Sequence, residues 1–263
     1  MKTTSILIRS FADDAAWLEY CLRSIKKFCS GFAEVVVIVP EYDRNLFCQL
    51  DGTKLNGLPV RVRTYPGNRP KPMLECMESL CHSEEWCPHS DLILHTDSDC
   101  IFSTPVTPET FMTGGKPDLL VRSFDSLRGQ GAYCWREGVE NCFKAPATHE
   151  TMVRHPSVHY RGLYPSFRAQ VEGLHGMSFH DWATRGPEVF PWPWSEFCCL
   201  GAWALKSMPR DYNFIDVSGV PEEEITKKYK THLMQGWSRG DMNDSFQRSQ
   251  ANEQRRKFYE ILK

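Results

Sequence analysis

The sequence has no apolar run near the roughly 20 residues needed to span a bilayer, so no transmembrane helix is expected. It has no charge of one dominant sign. Lys plus Arg is 31, Asp plus Glu is 33, and the formal net charge is −2. That balance excludes a bulk polycation coating nucleic acid, while a local basic patch stays compatible with it. There is no Gly-x-x-x-x-Gly-Lys-Ser/Thr loop, and no Gly-x-Gly-x-x-Gly follows the first apolar run. Their absence weakens P-loop nucleotidase and dinucleotide dehydrogenase readings. No internal repeat, low-complexity tract or linker is visible, so 1–263 is read as one domain. The N-terminal apolar stretch is too short for a secretory signal, and Arg9 and Asp13-Asp14 follow at once. A cytoplasmic protein is therefore expected, its 11 cysteines reduced.

What is present is a chain able to fold. It is 41% apolar, 24% charged and holds 17 glycines, enough apolar residues for a packed core. Ser5-Ile6-Leu7-Ile8 reads as a buried strand, and Asp14 to Phe28 carries apolar residues at helical spacing. Val35 to Val39 is a β-branched strand ended by Pro40. Val60 to Tyr65 is a third strand, Met73 to Leu80 a helix opened by Pro72, and Asp91 to Thr96 a fourth strand. This alternation predicts an α/β fold with a mostly parallel sheet flanked by helices, ligands binding at the strands' carboxyl ends. Residues 125–195, rich in Gly, Pro and aromatics, read as irregular loops. Beyond them, Glu196 to Lys206 reads as a helix, Tyr212 to Val217 as a strand and Ser245 to Leu262 as a terminal helix.

The sharpest local signal is Asp97-Ser98-Asp99, directly after a buried strand. Two carboxylates one residue apart can converge on a hard divalent cation, Mg2+ or Mn2+, which completes its shell with water and substrate phosphates. The plain alternative is a polar turn closing the strand. Between Cys76 and Cys100 lie Cys81, His82, Cys87 and His89, but no Cys-x-x-Cys pair, so buried thiols explain them better than zinc.

With the strand-helix-strand order of the first forty residues, Leu92 to Asp99 resembles the GT-A fold of nucleotide-sugar glycosyltransferases. In that family an Asp-x-Asp motif holds a metal that bridges the nucleotide diphosphate. The resemblance implies a Rossmann-type nucleotide-sugar-binding half over 1–123, and an irregular acceptor-side half with the terminal helix over 124–263. His232, with Gly236 nearby, resembles the family's C-terminal histidine that joins Asp97 and Asp99 in the metal shell; an ordinary loop histidine is the alternative. Arg239 resembles the basic residue that meets phosphate. In the loop after the first strand, Ser10 and Asp13 are implied to hydrogen-bond ribose or base and Phe11 to stack, although Asp13 can equally cap the helix. Arg69 or Lys71, at the entrance to the next helix, is implied to meet the diphosphate, and Ser98 to join Asp97 at the nucleotide-sugar.

Ser195-Glu196-Phe197 resembles the segment that opens the acceptor-side helix. Glu196 is the expected base of an inverting transfer, with Asp181 the second candidate; Glu196 can also simply complement the helix dipole. The expected activity is metal-dependent transfer of a sugar from a nucleoside diphosphate donor, UDP-linked, to an acceptor hydroxyl. The acceptor is a glycan or lipid-linked precursor, or a hydroxymethylated DNA base. For DNA, the stretch from Ser245 holds Arg248, Arg255, Arg256, Lys257 and Lys263 against Glu253 and Glu260. A catalytically silent nucleotide- or sugar-binding module of the same fold is the alternative.

Overall fold

The computed structural model describes residues 2–67, 71–153, 156–187, 189–229, 232–236 and 245–263, with side chains in the last segment from 252 onward. The chain opens with β1 (Thr4–Arg9), buried up to its last residue, and α1 (Ala15–Phe28). Helix α1 turns Trp17, Leu18, Cys21, Leu22 and Ile25 inward, the periodicity its sequence predicts. Every residue of β2 (Val35–Pro40) is buried. A short α2 (Arg44–Phe47) leads to a hairpin of β3 (Lys54–Leu55) and β4 (Leu58–Tyr65). Its turn is Asn56-Gly57, both residues at positive φ (49° and 91°). Asn-Gly adopts that mirror-image turn at little cost, and the turn matches the twist of the flanking strands.

Next come α3 (Pro72–Leu80), α4 (Ser83–Trp86), β5 (Leu92–Asp97) and β6 (Cys100–Phe102). The second half holds β7 (Met112–Thr113), β8 (Lys116–Ser123), α5 (Trp135–Phe143), β9 (His149–Glu150), β10 (Ser157–Tyr160), α6 (Leu163–His175) and α7 (Phe179–Thr184). It ends with α8 (Glu196–Ser207), β11 (Asn213–Asp216), α9 (Glu222–Tyr229), β12 (Leu233–Gln235) and α10 (Ser245–Leu262). The stretch 125–195 is thus more regular than its composition predicts. Pro165 sits in the first turn of α6, where no helical N–H bond is lost, and Gly176 closes that helix in the left-handed conformation (φ 66°).

The main sheet has the order β10-β5-β1-β2-β4-β3. Strands β5, β1, β2 and β4 run parallel, and the two outer strands run antiparallel to their neighbours. The α/β class with a mostly parallel sheet is as the sequence predicts. A smaller sheet joins β11, β8, β7 and β9, and β12 pairs with β6 alone. The strand period of two divides the core. Leu7, Val36, Ile38 and Ile93 face α3, α6 and α8, while Ile6, Ile8, Val35, Val37 and Leu94 face α1.

On the outer strand β10 of the main sheet, His159 is buried beside His95, Tyr164 and Tyr212. Burial lowers its pKa to about 4 from an ordinary 6.5. The unfolded chain therefore takes up the proton first. Stability is full above the unfolded value near 6.5, falls as pH drops, and levels off below about 4, a loss of about 3 kcal/mol. In urea unfolding at pH 7.5 and 4.5, His159→Phe should show a distinctly smaller acid loss than wild type. Equal losses in both proteins would place the acid sensitivity elsewhere.

Candidate functional site

From β1 the chain steps to β2 and β4 on one side, then returns to place β5 on the other side of β1. The β1/β5 boundary is therefore the topological switch point, whose carboxyl-end crevice is where open α/β sheets bind ligands. Two residues stand at that edge. Arg9 and Asp97 end their strands as register partners, and Arg9 Nε donates to Asp97 Oδ1 at 2.9 Å.

The third member comes from the far half of the chain. Ser195 caps α8, its Oγ accepting from the Cys198 N–H, and this puts Glu196 in the first turn. Glu196 is 2% exposed and its Oε1 accepts from Arg9 Nη1. The Arg9 guanidinium also lies 5.5 Å from the Phe197 ring centroid. Burial opposes the charge on Arg9, but Asp97 and Glu196 outweigh it and hold the guanidinium well above its ordinary pKa. Just before this cap the chain packs on Gly138 of α5, where a Cβ would stand 2.8 Å from Trp194 Cα. Trp194 is buried there and donates to the Ala183 carbonyl.

Ser98 and Asp99 form the tight turn between β5 and β6. Ser98 Oγ donates to Asp14 Oδ2 at 2.9 Å, tying the turn to the start of α1, and Asp99 is 7% exposed. Gly236 packs on this turn, donating its N–H to the Asp99 carbonyl. A Cβ at Gly236 would lie 2.7 Å from the Trp17 ring and 2.9 Å from that carbonyl, so only glycine fits. The same pairing carries His232 away. Leu233 lies opposite Phe102, and Ser103 donates to the His232 carbonyl, which sets the histidine four residues along the strand from Asp99, roughly 13 Å at strand rise. Its Nδ1 pairs with Thr104 Oγ1 at 2.7 Å. The expected third metal ligand is thus not brought to the Asp97-Asp99 turn.

Ser10 continues β1 toward the crevice, its N–H bonded to the Ile38 carbonyl, and its 1%-exposed residue keeps an Oγ with no hydrogen-bond partner. Phe11 is half-buried and Asp13 exposed on the same loop, which Asp43 fastens by accepting from the Ala12 N–H. The residue at the N-cap of α1 is Asp14. Lys71 donates to the Thr184 carbonyl, which joins the start of α3 to the end of α7. Asp181 is not part of the crevice cluster: its carboxylate accepts from Ser178 Oγ at 2.6 Å in the cap of α7. Arg69 and Arg239 lie outside the described residues. The partner that sequence reasoning passed over is Arg9 itself, whose signal is a lone cation closing an otherwise buried apolar strand.

Asp97 and Glu196 flank the Arg9 guanidinium, and Asp99 and Asp14 belong to the adjoining turn and its tie to α1. Hard oxygen donors of this kind suit Mg2+ or Mn2+, which commonly takes one or two protein carboxylates and fills its shell from water and phosphate. Asp97 and Asp99 are the residues that fit this role. Among the described residues no three His, Cys, Asp or Glu side chains converge as a ready-made metal group. Nine of the 11 cysteines are buried free thiols, and burial raises Cys21, Cys81 and Cys100 well above their ordinary pKa.

No protein-family model matches this chain, and no curated protein matches it. Gly236, Ser238 and Gly240 have the Gly-x-Ser-x-Gly spacing of a hydrolase elbow, which follows a parallel strand of the main sheet. Here β12, just before it, is a three-residue strand paired antiparallel to β6.

Removing Arg9 leaves two carboxylates facing each other without their shared cation. Arg9→Met should lower unfolding stability by about 3–5 kcal/mol. Replacing Arg9, Asp97 and Glu196 together by Met, Leu and Met should restore most of that loss, since no buried charge then remains. A single variant within 1 kcal/mol of wild type by urea unfolding would show that the triad does not hold these elements together.

Proposed function

We propose that this protein is a metal-dependent glycosyltransferase of the GT-A kind, moving a sugar from a nucleoside diphosphate donor, UDP-linked, to an acceptor hydroxyl. The observation that carries the reading is the Asp97-Ser98-Asp99 turn at the β1/β5 switch point, where two carboxylates one residue apart close a buried strand. A divalent cation held by Asp97 and Asp99 would supply electrostatic stabilisation of the leaving diphosphate. Arg9 orients Asp97 from the side, and the Ser98–Asp14 bond holds the turn on α1. The unpartnered Ser10 hydroxyl and the ring of Phe11 are the groups that meet the nucleoside.

In the transfer, the acceptor oxygen attacks the anomeric carbon as the bond to the diphosphate breaks. Glu196 takes the acceptor proton on Oε2, because Arg9 occupies Oε1. Of the two acceptor classes, the glycan or lipid-linked precursor is favoured over a DNA base. Lys257 and Lys263 pair with Glu253 and Glu260, Arg255 lies 4.7 Å over the Trp17 ring, and Arg61 pairs with Glu34. These pairs leave the terminal helix's excess of three positive charges in place, so the preference rests on the near-neutral chain as a whole, with a formal charge of −2.

The depth of Glu196 favours a second reading, a silent nucleotide-sugar-binding module, because a 2%-exposed carboxylate already engaged by Arg9 offers little surface to an acceptor. Thermal unfolding with UDP, GDP, CMP and dTDP, each with and without Mn2+, tests both readings. UDP with Mn2+ near a hundred times Kd should raise Tm by about 5–10 °C, and Asp99→Ala should lose that shift. No shift with any nucleotide would overturn the donor-site assignment. Glu196→Gln should keep the shift and lose sugar transfer; a wild-type protein that shifts yet consumes no donor would establish the module instead.

A further inference from the structure

A cavity of about 400 Å³ opens on the outer flank of α3, away from the face that packs on the sheet. It lies beyond the crevice cluster, with Tyr65, whose hydroxyl bonds Cys76 and feels the charge of Arg9, standing between the two. Three of its lining residues are glutamates: Glu75, which is 6% exposed, Glu78, and Glu85 toward the rim. Tyr65 and Trp86 give it aromatic walls. No lysine or arginine is among the described residues that line it. Arg168 reaches Glu85 at 3.5 Å but is bonded chiefly to Glu84.

These facts sort the ligand classes. Among the described residues a phosphate or nucleotide would meet three glutamates with only Ser79 and the carboxylate-bound His82 and His180 as donors, a lining that disfavours an anion. A bare metal ion is far smaller than the space, and no metal-ligating group of three is found among the described residues. The volume lies in the range that holds small organic molecules. Carboxylates with aromatic walls are the surroundings that an alkylammonium prefers, its charge against oxygen and ring faces and its methylenes against carbon. The glutamates are already positioned: His180 Nδ1 lies 2.9 Å from Glu78 Oε2 and His82 Nδ1 2.8 Å from Glu85 Oε1. A carboxylate accepts more than one hydrogen bond, so each keeps capacity for an ammonium.

We propose that this cavity binds a small organic amine in its ammonium form, held by Glu75 and Glu78 with its carbon chain against Tyr65 and Trp86. The site is independent of the donor crevice and does not rest on the glycosyltransferase reading. Calorimetric titration of the full chain in 150 mM NaCl with 1,4-diaminobutane, and with 1,4-butanediol as its uncharged counterpart, tests it directly. The diamine should bind and the diol should not. Glu78→Gln should weaken the diamine at least tenfold, while Asp99→Ala leaves it unchanged. Should Glu78→Gln fail to fold, Glu85→Gln at the exposed rim is the second variant, with a loss of several-fold expected. No binding of the diamine at millimolar concentration, equal binding of diol and diamine, or affinity unchanged in the folded glutamate variants would each overturn the proposal.

Discussion

One buried guanidinium organises the upper edge of this molecule. Arg9 ends β1, and through it the end of β5 and the first turn of α8 are drawn to a single point. Each partner is displaced from water, and a buried ion pair of this sort gives little net stability over a well-packed apolar triad. What it imposes is geometry. Asp97 faces its neighbour strand at the switch point, and Glu196 is drawn inward by a cation nearly two hundred residues earlier in the chain. The neighbouring turn carries its own fixings, the Ser98–Asp14 tie and the close seat of Gly236 on Asp99.

Local charge, not the total, is what distinguishes the molecule. A formal charge of −2 over 263 residues describes a nearly neutral protein. Yet the fold gathers carboxylates at two separate places, around Arg9 and along the outer flank of α3. The first collects hard oxygen donors beside a tight turn, suited to a small divalent cation with a phosphate ligand. The second is a roomier space with aromatic walls, suited to a larger and softer cation. The same residue type is thus set in two different surroundings.

Much of the scaffold was legible because its signals are local. The runs Ser5–Ile8, Val35–Val39 and Leu92–Thr96 are buried strands for the reason their sequences suggest, and α1 follows its apolar spacing. Asn56-Gly57 carried a hairpin signal that went unread. The helices α5, α6 and α7 were hidden by glycines, prolines and aromatics that mark loops elsewhere, yet here sit at helix starts, helix ends and close contacts such as Gly138 on Trp194. The site was legible in part. Asp97 and Glu196 meet, but through Arg9, to which sequence reasoning gave no part in the site. His232 was read from motif spacing, whereas its position is set by the register of β12 on β6, and pairing between distant strands leaves no trace in a single sequence. Asp181 looked chemical and is a cap, since Ser and Asp three residues apart at a helix start serve each other.

The central claim is that the β1/β5 switch point binds a divalent cation together with a nucleotide. Paramagnetic broadening of backbone amide signals, with Mn2+ added to the UDP-saturated protein, reads the position of the ion directly. Broadening should be strongest at Ser10, Ser98, Asp99, Cys100 and Gly236 and should fade with distance from that turn. Broadening centred on the Glu75–Glu85 flank, or spread evenly over exposed carboxylates, would contradict the claim.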